Sequence, residues 1–276
     1  KATATLPRTT TVTVDNSSAE EIDAALASIG KKGATLEATD PDRKITTTAR
    51  KEEVLIIGSS SVRGMMGRTF VRNLVRHGYD AKRIGKSASG LSRLDYHDWI
   101  SLVDTLPISE RTVAIIVYVG VNDPQGIWLR PSERVKPSAK WHRWHKPGWS
   151  DRYRDRVVEL INALCIRGVP NVVFVTPVDV AWPSLQRRLR RIRRLQIEGS
   201  RDSACGHVVS GSGDKLFIED RIEKRRPRRL RDGYHMTYYG AQLLYDRISR
   251  RLHRLLRDKS PMAHSATAPA QTPDMT

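Results

Sequence analysis

Three short runs constrain this chain more than anything else in it: EVLIIG at 53–58, VAIIVYVG at 113–120 and VVFVTP at 172–177. Each has the length of a strand, is almost wholly apolar and is rich in Val and Ile, the pattern of a strand covered on both faces. Helical patterns alternate with them. Residues 64–77 place Met66, Phe70, Leu74 and Val71 on one side, 152–168 end in Gly168, 183–198 are rich in Arg, and 237–257 form a closing amphipathic run. A shorter strand is expected near 82–87 and a last one at LFIE, 216–219. This alternation predicts an α/β fold, a three-layer α/β/α sandwich of flavodoxin-like type around a central parallel sheet.

That domain should occupy 52–258. Before it, 1–51 read as an extension: a Thr- and Ala-rich leader, a short helix in AEEIDAALASIG that starts after Ser17 and Ser18 and ends at Gly30, then a linker. After it, 259–276 are low in complexity and read as a disordered tail. No run of 18 apolar residues occurs, so no segment has the pattern of a membrane-spanning helix. The first residue is Lys1, which leaves room for a removed signal or anchor.

In an open parallel sheet, functional groups collect beyond the carboxyl ends of the strands. Three segments meet that rule: GSSSVRG at 58–64, GVND at 120–123, and DGYH at 232–235 before the last helix. Together they offer a hydroxyl, a side-chain amide, a carboxylate and an imidazole. Acyl transfer needs those parts. A serine hydroxyl is a weak nucleophile until an imidazole removes its proton. The imidazole needs a carboxylate to fix its tautomer, and the oxyanion of the tetrahedral intermediate needs preorganised N–H donors. Taken singly, the three segments read equally well as a plain strand-to-helix turn, a loop turn and a helix cap. Their order and boundary positions carry the reading.

On those residues the chain resembles the SGNH (GDSL-like) hydrolase superfamily over roughly 53–256. LIIGSSSVRGMMG resembles its first block and makes Ser60 the nucleophile, with Ser59 where Gly-Asp-Ser has Asp. SASGLSRLDYHDW resembles the second and makes the Gly90 N–H a donor; YVGVNDPQG resembles the third and adds the Asn122 amide. DGYHMTYYGA resembles the last, with Asp232 and His235 completing a triad. The resemblance implies an oxyanion hole of Ser60, Gly90 and Asn122, and no cofactor or metal. The wording of the second block and of PGWSDRYRDRVVELINAL is similar to a subgroup of bacterial, often exported proteins. It implies a serine esterase acting on carboxylic esters, O-acetyl esters of an envelope or exported glycan above all. The alternatives are a polysaccharide O-acetyltransferase using the same triad and a non-catalytic envelope scaffold. A periplasmic or otherwise exported location is implied, with the cytoplasm as the alternative.

Net charge is +18, from 48 Lys and Arg against 30 Asp and Glu, which attracts polyanions or simply keeps the protein soluble. Residues 128–149 carry Trp128, Trp141, Trp144 and Trp149 among Lys, Arg, His142 and His145. They read either as a small satellite core or as a sugar-stacking roof over the site. The two histidines lack an acid or Cys at metal-ligand spacing. The helix at 185–195 sets Leu185, Leu189, Ile192 and Leu195 on one side and six arginines elsewhere, and 221–231 add seven basic residues, Arg231 among them, next to Asp232. These are ordinary solvated charges, or a surface that steers an anionic substrate and touches an anionic envelope. No nucleic-acid module is present, so nucleic acid is not an expected partner. Cys165 and Cys205 match no metal spacing, and their pairing is not legible from sequence.

Overall fold

The computed structural model describes residues 50–212 and 228–258. The short helix expected before Gly30, most of the 31–51 linker, the LFIE strand, most of the 221–231 basic cluster and the tail lie outside the described residues.

Five strands build the central sheet: β1 (Glu53–Gly58), β2 (Asp80–Gly85), β3 (Thr112–Tyr118), β6 (Val172–Val175) and β7 (Gly206–Val209). Their order is β2-β1-β3-β6-β7, and every neighbouring pair is parallel. This is the flavodoxin-like order, in which the chain reverses direction across the sheet between β1 and β3. All residues of β1, β3 and β6 are buried, as their continuous apolar runs require. Gly58 pairs with both Gly85 and Tyr118, so β1, β2 and β3 end level. The loops that follow them therefore leave one edge of the sheet side by side.

Helices cover both faces. On one lie the short α1 (Ser60–Arg63), α2 (Met65–Arg76) and the closing α5 (Tyr238–Arg257). Met66, Phe70, Leu74, Leu244, Ile248 and Leu252 pack there against Val54, Ile56 and Ile116 of the sheet. Burying each such side chain contributes about 1.5–3 kcal/mol. On the other face, α3 (Trp149–Ile166) and α4 (Pro183–Arg201) pack Tyr153, Leu160, Leu189 and Ile192 against Leu55, Ile115 and Val117. Thr237 starts α5 by accepting the Gly240 N–H on its hydroxyl at 3.1 Å. Between Asn122 and α3, β4 (Ile127–Trp128) and β5 (Trp141–His142) form an antiparallel hairpin.

β7, at one edge of the sheet, is not expected from sequence, because its GHVV run is too short and mixed to stand out; two expectations about arginines change. Of the arginines of α4, Arg193 is not a solvated charge: it is buried and ion-paired with Asp179 at 2.9 Å. Arg228 and Arg229 of the second basic run are buried as well, so they are not part of a steering surface. Cys165 and Cys205 form a disulfide that ties the end of α3 to the start of β7.

Candidate active site

Ser60 is the first residue of α1, directly beyond β1. Its predecessor Ser59 is buried and donates its N–H to the Tyr118 carbonyl at 3.1 Å, which clamps the turn to β3. The N–H of Ser60 opens a helix and so has no partner within that helix. Its Oγ lies 2.7 Å from Nε2 of His235. His235 Nδ1 lies 2.7 Å from Oδ2 of Asp232. The other carboxylate oxygen of Asp232 accepts the backbone N–H groups of Tyr234 at 3.0 Å and His235 at 2.9 Å. Burial raises the Asp232 carboxyl, but those two N–H groups and the imidazole offset it, and the group ends below the usual carboxylate range. An ionised Asp232 can only accept, so Nδ1 carries the ring proton and Nε2 is left to receive the serine hydroxyl.

The loops after β2 and β3 meet beside this chain of three. Asn122 donates one side-chain N–H to the Ser89 carbonyl at 2.9 Å, which leaves the second N–H of the same nitrogen as a donor. Its neighbour Asp123 is fully buried and accepts from the Ser92 N–H and the Tyr153 hydroxyl, each at 2.9 Å. The Ser92 hydroxyl donates back to the Asp123 carbonyl at 2.9 Å. A Cβ at Gly90 would stand 2.1 Å from the Asp123 carboxylate, so only glycine lets the backbone pass there. Gly90 and Asn122 are thus held together through one buried carboxylate. Desolvation pushes the Asp123 carboxyl up to about 6 despite these donors.

The turn carrying Asp232 and His235 has its own support, which sequence reasoning missed. Trp182 donates its indole N–H to the Asp232 carbonyl at 3.1 Å. Gly233 sits at φ +75°, and a Cβ there would meet the same indole nitrogen at 2.5 Å. Arg229 donates to the carbonyls of Tyr234, at 2.9 Å, and of Asp179. Arg193, buried below, donates to the carbonyls of Pro177 at 2.6 Å and Val178 at 2.7 Å. Trp182, Arg229 and Arg193 act on backbone carbonyls, which leave no residue-type pattern to find.

The tryptophans divide. Trp149 is fully buried, stacked on Tyr153 with 5.2 Å between ring centroids, and is a core residue rather than a substrate contact. Trp144 is partly buried against the same core, while Trp141 is 44% exposed. Trp128 meets Trp141 edge-on at 5.1 Å. Arg231 is exposed beside Asp232. Among the described residues, no group of three His, Cys, Asp or Glu could hold a metal ion, and no helix is long and apolar enough to cross a membrane.

Residues 53–251 match the model of the family described as "Protein of unknown function (DUF459)". No curated protein matches. Among solved structures, a GDSL-like lipase from Bacteroides ovatus superposes with a TM-score of 0.50 at 15% identity, over 79% of this chain and 58% of that one. A carbohydrate esterase family 3 protein from Talaromyces cellulolyticus gives 0.48 at 13% identity, over 76% and 100%. An acetylxylan esterase from Geobacillus stearothermophilus gives 0.43 at 15%, over 75% and 94%. The chain belongs to the DUF459 family and has the fold of the SGNH, GDSL-like hydrolases.

Proposed function

We propose that this protein is a serine esterase that removes short acyl groups, O-acetyl above all, from a glycan. The observation that carries the reading is the unbroken chain Asp232–His235–Ser60, with 2.7 Å at each link. Ser60 Oγ attacks the ester carbonyl as His235 Nε2 takes its proton. The resulting oxyanion is met by the N–H groups of Ser60 and Gly90 and the second N–H of the Asn122 amide. His235 then returns the proton to the leaving sugar oxygen, and the carbonyl reforms as an acyl-serine. Water, deprotonated by the same imidazole, releases the acid. Asp232 orients the ring and stabilises its cation without taking the proton.

A sugar hydroxyl in place of that water would make the same acyl-enzyme an O-acetyltransferase. An exported location fits the Cys165–Cys205 disulfide, since such bonds persist in oxidising compartments. The test is hydrolysis of p-nitrophenyl acetate by wild type and by Ser60→Ala, His235→Ala and Asp232→Asn. Loss of the triad should lower kcat by about 10⁴-fold or more, and serine-reactive phosphonate should label only proteins that keep Ser60. Equal rates for wild type and Ser60→Ala would remove the nucleophile and the reading with it. Acetylated sugar appearing with an oligosaccharide acceptor would assign transfer; free acetate alone would assign hydrolysis.

A further inference from the structure

Beside the Gly90 loop, the β4–β5 hairpin and the segment after it form an open, shallow recess of about 490 Å³, within the size of small-ligand sites. Trp141 and Trp144 supply its aromatic walls, and Lys140, Arg143 and His145 line it, with no carboxylate among the lining residues. Lys140, Trp141, Arg143 and His145 are exposed. Trp141 is held in place: Trp128 braces its edge, and the Arg93 guanidinium lies 5.1 Å from its ring centre. The Arg191 guanidinium lies 5.2 Å from the centre of Trp144. The recess is also tied to the site, because Trp128 donates its N–H to the Ser92 carbonyl at 2.8 Å, two residues from Gly90.

We infer that this recess is a saccharide subsite for an acidic glycan, a uronate-bearing chain whose ring stacks on Trp141 and whose carboxylates meet Lys140 and Arg143. Flat indole faces suit the C–H face of a pyranose, and the cations beside them have no acidic neighbour in the recess to neutralise them. The inference deepens the esterase reading by naming the class of polymer it would act on.

Calorimetric titration of the full chain with an oligogalacturonate tests this, with a neutral xylo-oligosaccharide and an oligothymidylate as comparisons. Oligogalacturonate should bind most tightly, and both Trp141→Ala and the double variant Lys140→Gln/Arg143→Gln should weaken it by about tenfold or more. The double variant changes exposed side chains only, so a folding defect in Trp141→Ala leaves the test standing. Hydrolysis of p-nitrophenyl acetate should stay within about twofold in every recess variant, because the small ester does not reach the recess. Undiminished oligogalacturonate binding in both variants, equal binding of the neutral sugar, or tighter binding of the oligothymidylate would each overturn the inference. Hydrolysis of p-nitrophenyl acetate by Ser60→Ala and glycan binding by the recess variants separate the two readings, since a false nucleophile leaves binding intact and a false subsite leaves hydrolysis intact.

Discussion

Replacing Asp123 with Asn keeps the shape of the side chain and removes its charge, and the buried position makes the consequence calculable. The carboxylate accepts from Ser92 N–H and Tyr153 O–H at 2.9 Å each. Below about pH 6 the carboxyl is protonated, and above it those two bonds offset only part of the cost of burying the charge. An amide nitrogen turned toward Tyr153 also cannot accept its hydroxyl, which already faces the Gln196 amide nitrogen at 3.3 Å. Burial acts the other way on the wild type by lifting the carboxyl from 3.8 to about 6. A raised folded-state pKa means stability that is fully present below the unfolded value and is lost as pH rises through the folded one. The size is about 3 kcal/mol, at about 1.4 per pKa unit. Urea unfolding of both proteins from about pH 4 to pH 7 should therefore show the penalty of Asp123→Asn narrowing by about 3 kcal/mol as pH rises. On p-nitrophenyl acetate, the slackened 89–92 loop should lower kcat by about 10- to 100-fold with KM little changed, less than outright loss of an oxyanion donor. A stability gap constant across that pH range would refute the burial argument. An unchanged kcat would refute the idea that Asp123 holds the donor loop.

Asn122→Ala should lower kcat by about 10²–10³-fold with KM and unfolding midpoint nearly unchanged, and a purely structural Asn122 would instead move the midpoint. The Cys165–Cys205 bond spans 40 residues of sequence. Chain-entropy arguments then put its contribution at about 4 kcal/mol, so Cys165→Ser or a reductant should lower the urea midpoint clearly, and no shift would count against the pairing.

The sheet was legible because burial on both faces leaves only apolar residues to choose from, as in β1, β3 and β6. The segments at their ends were legible because Ser60, Asn122, Asp232 and His235 are residue types tied to one chemistry, in one order. Legibility failed where structure is made by backbone or by context. β7 pairs at the sheet edge with two of its four residues only half-buried, so it needs no apolar run. Arg193 and Arg229 look like their solvated neighbours in sequence, yet they are turned inward by carbonyls of the loop after β6. Trp149 and Trp141 belong to one aromatic cluster in sequence, and only the start of α3 against the sheet sends the first inward and leaves the second outside.

The hydroxyl and the imidazole that touch at the candidate site stand 175 residues apart, one near the start of the domain and the other at the threshold of its final helix. On the proposed mechanism, a growing chain thus makes its nucleophile early and its base last. Until α5 seats against α2, with Phe70 meeting Tyr245 edge-on at 5.2 Å, the serine has no partner to activate it. Partly synthesised or clipped chains should be chemically silent, and the appearance of esterase turnover during refolding would time the docking of that last helix.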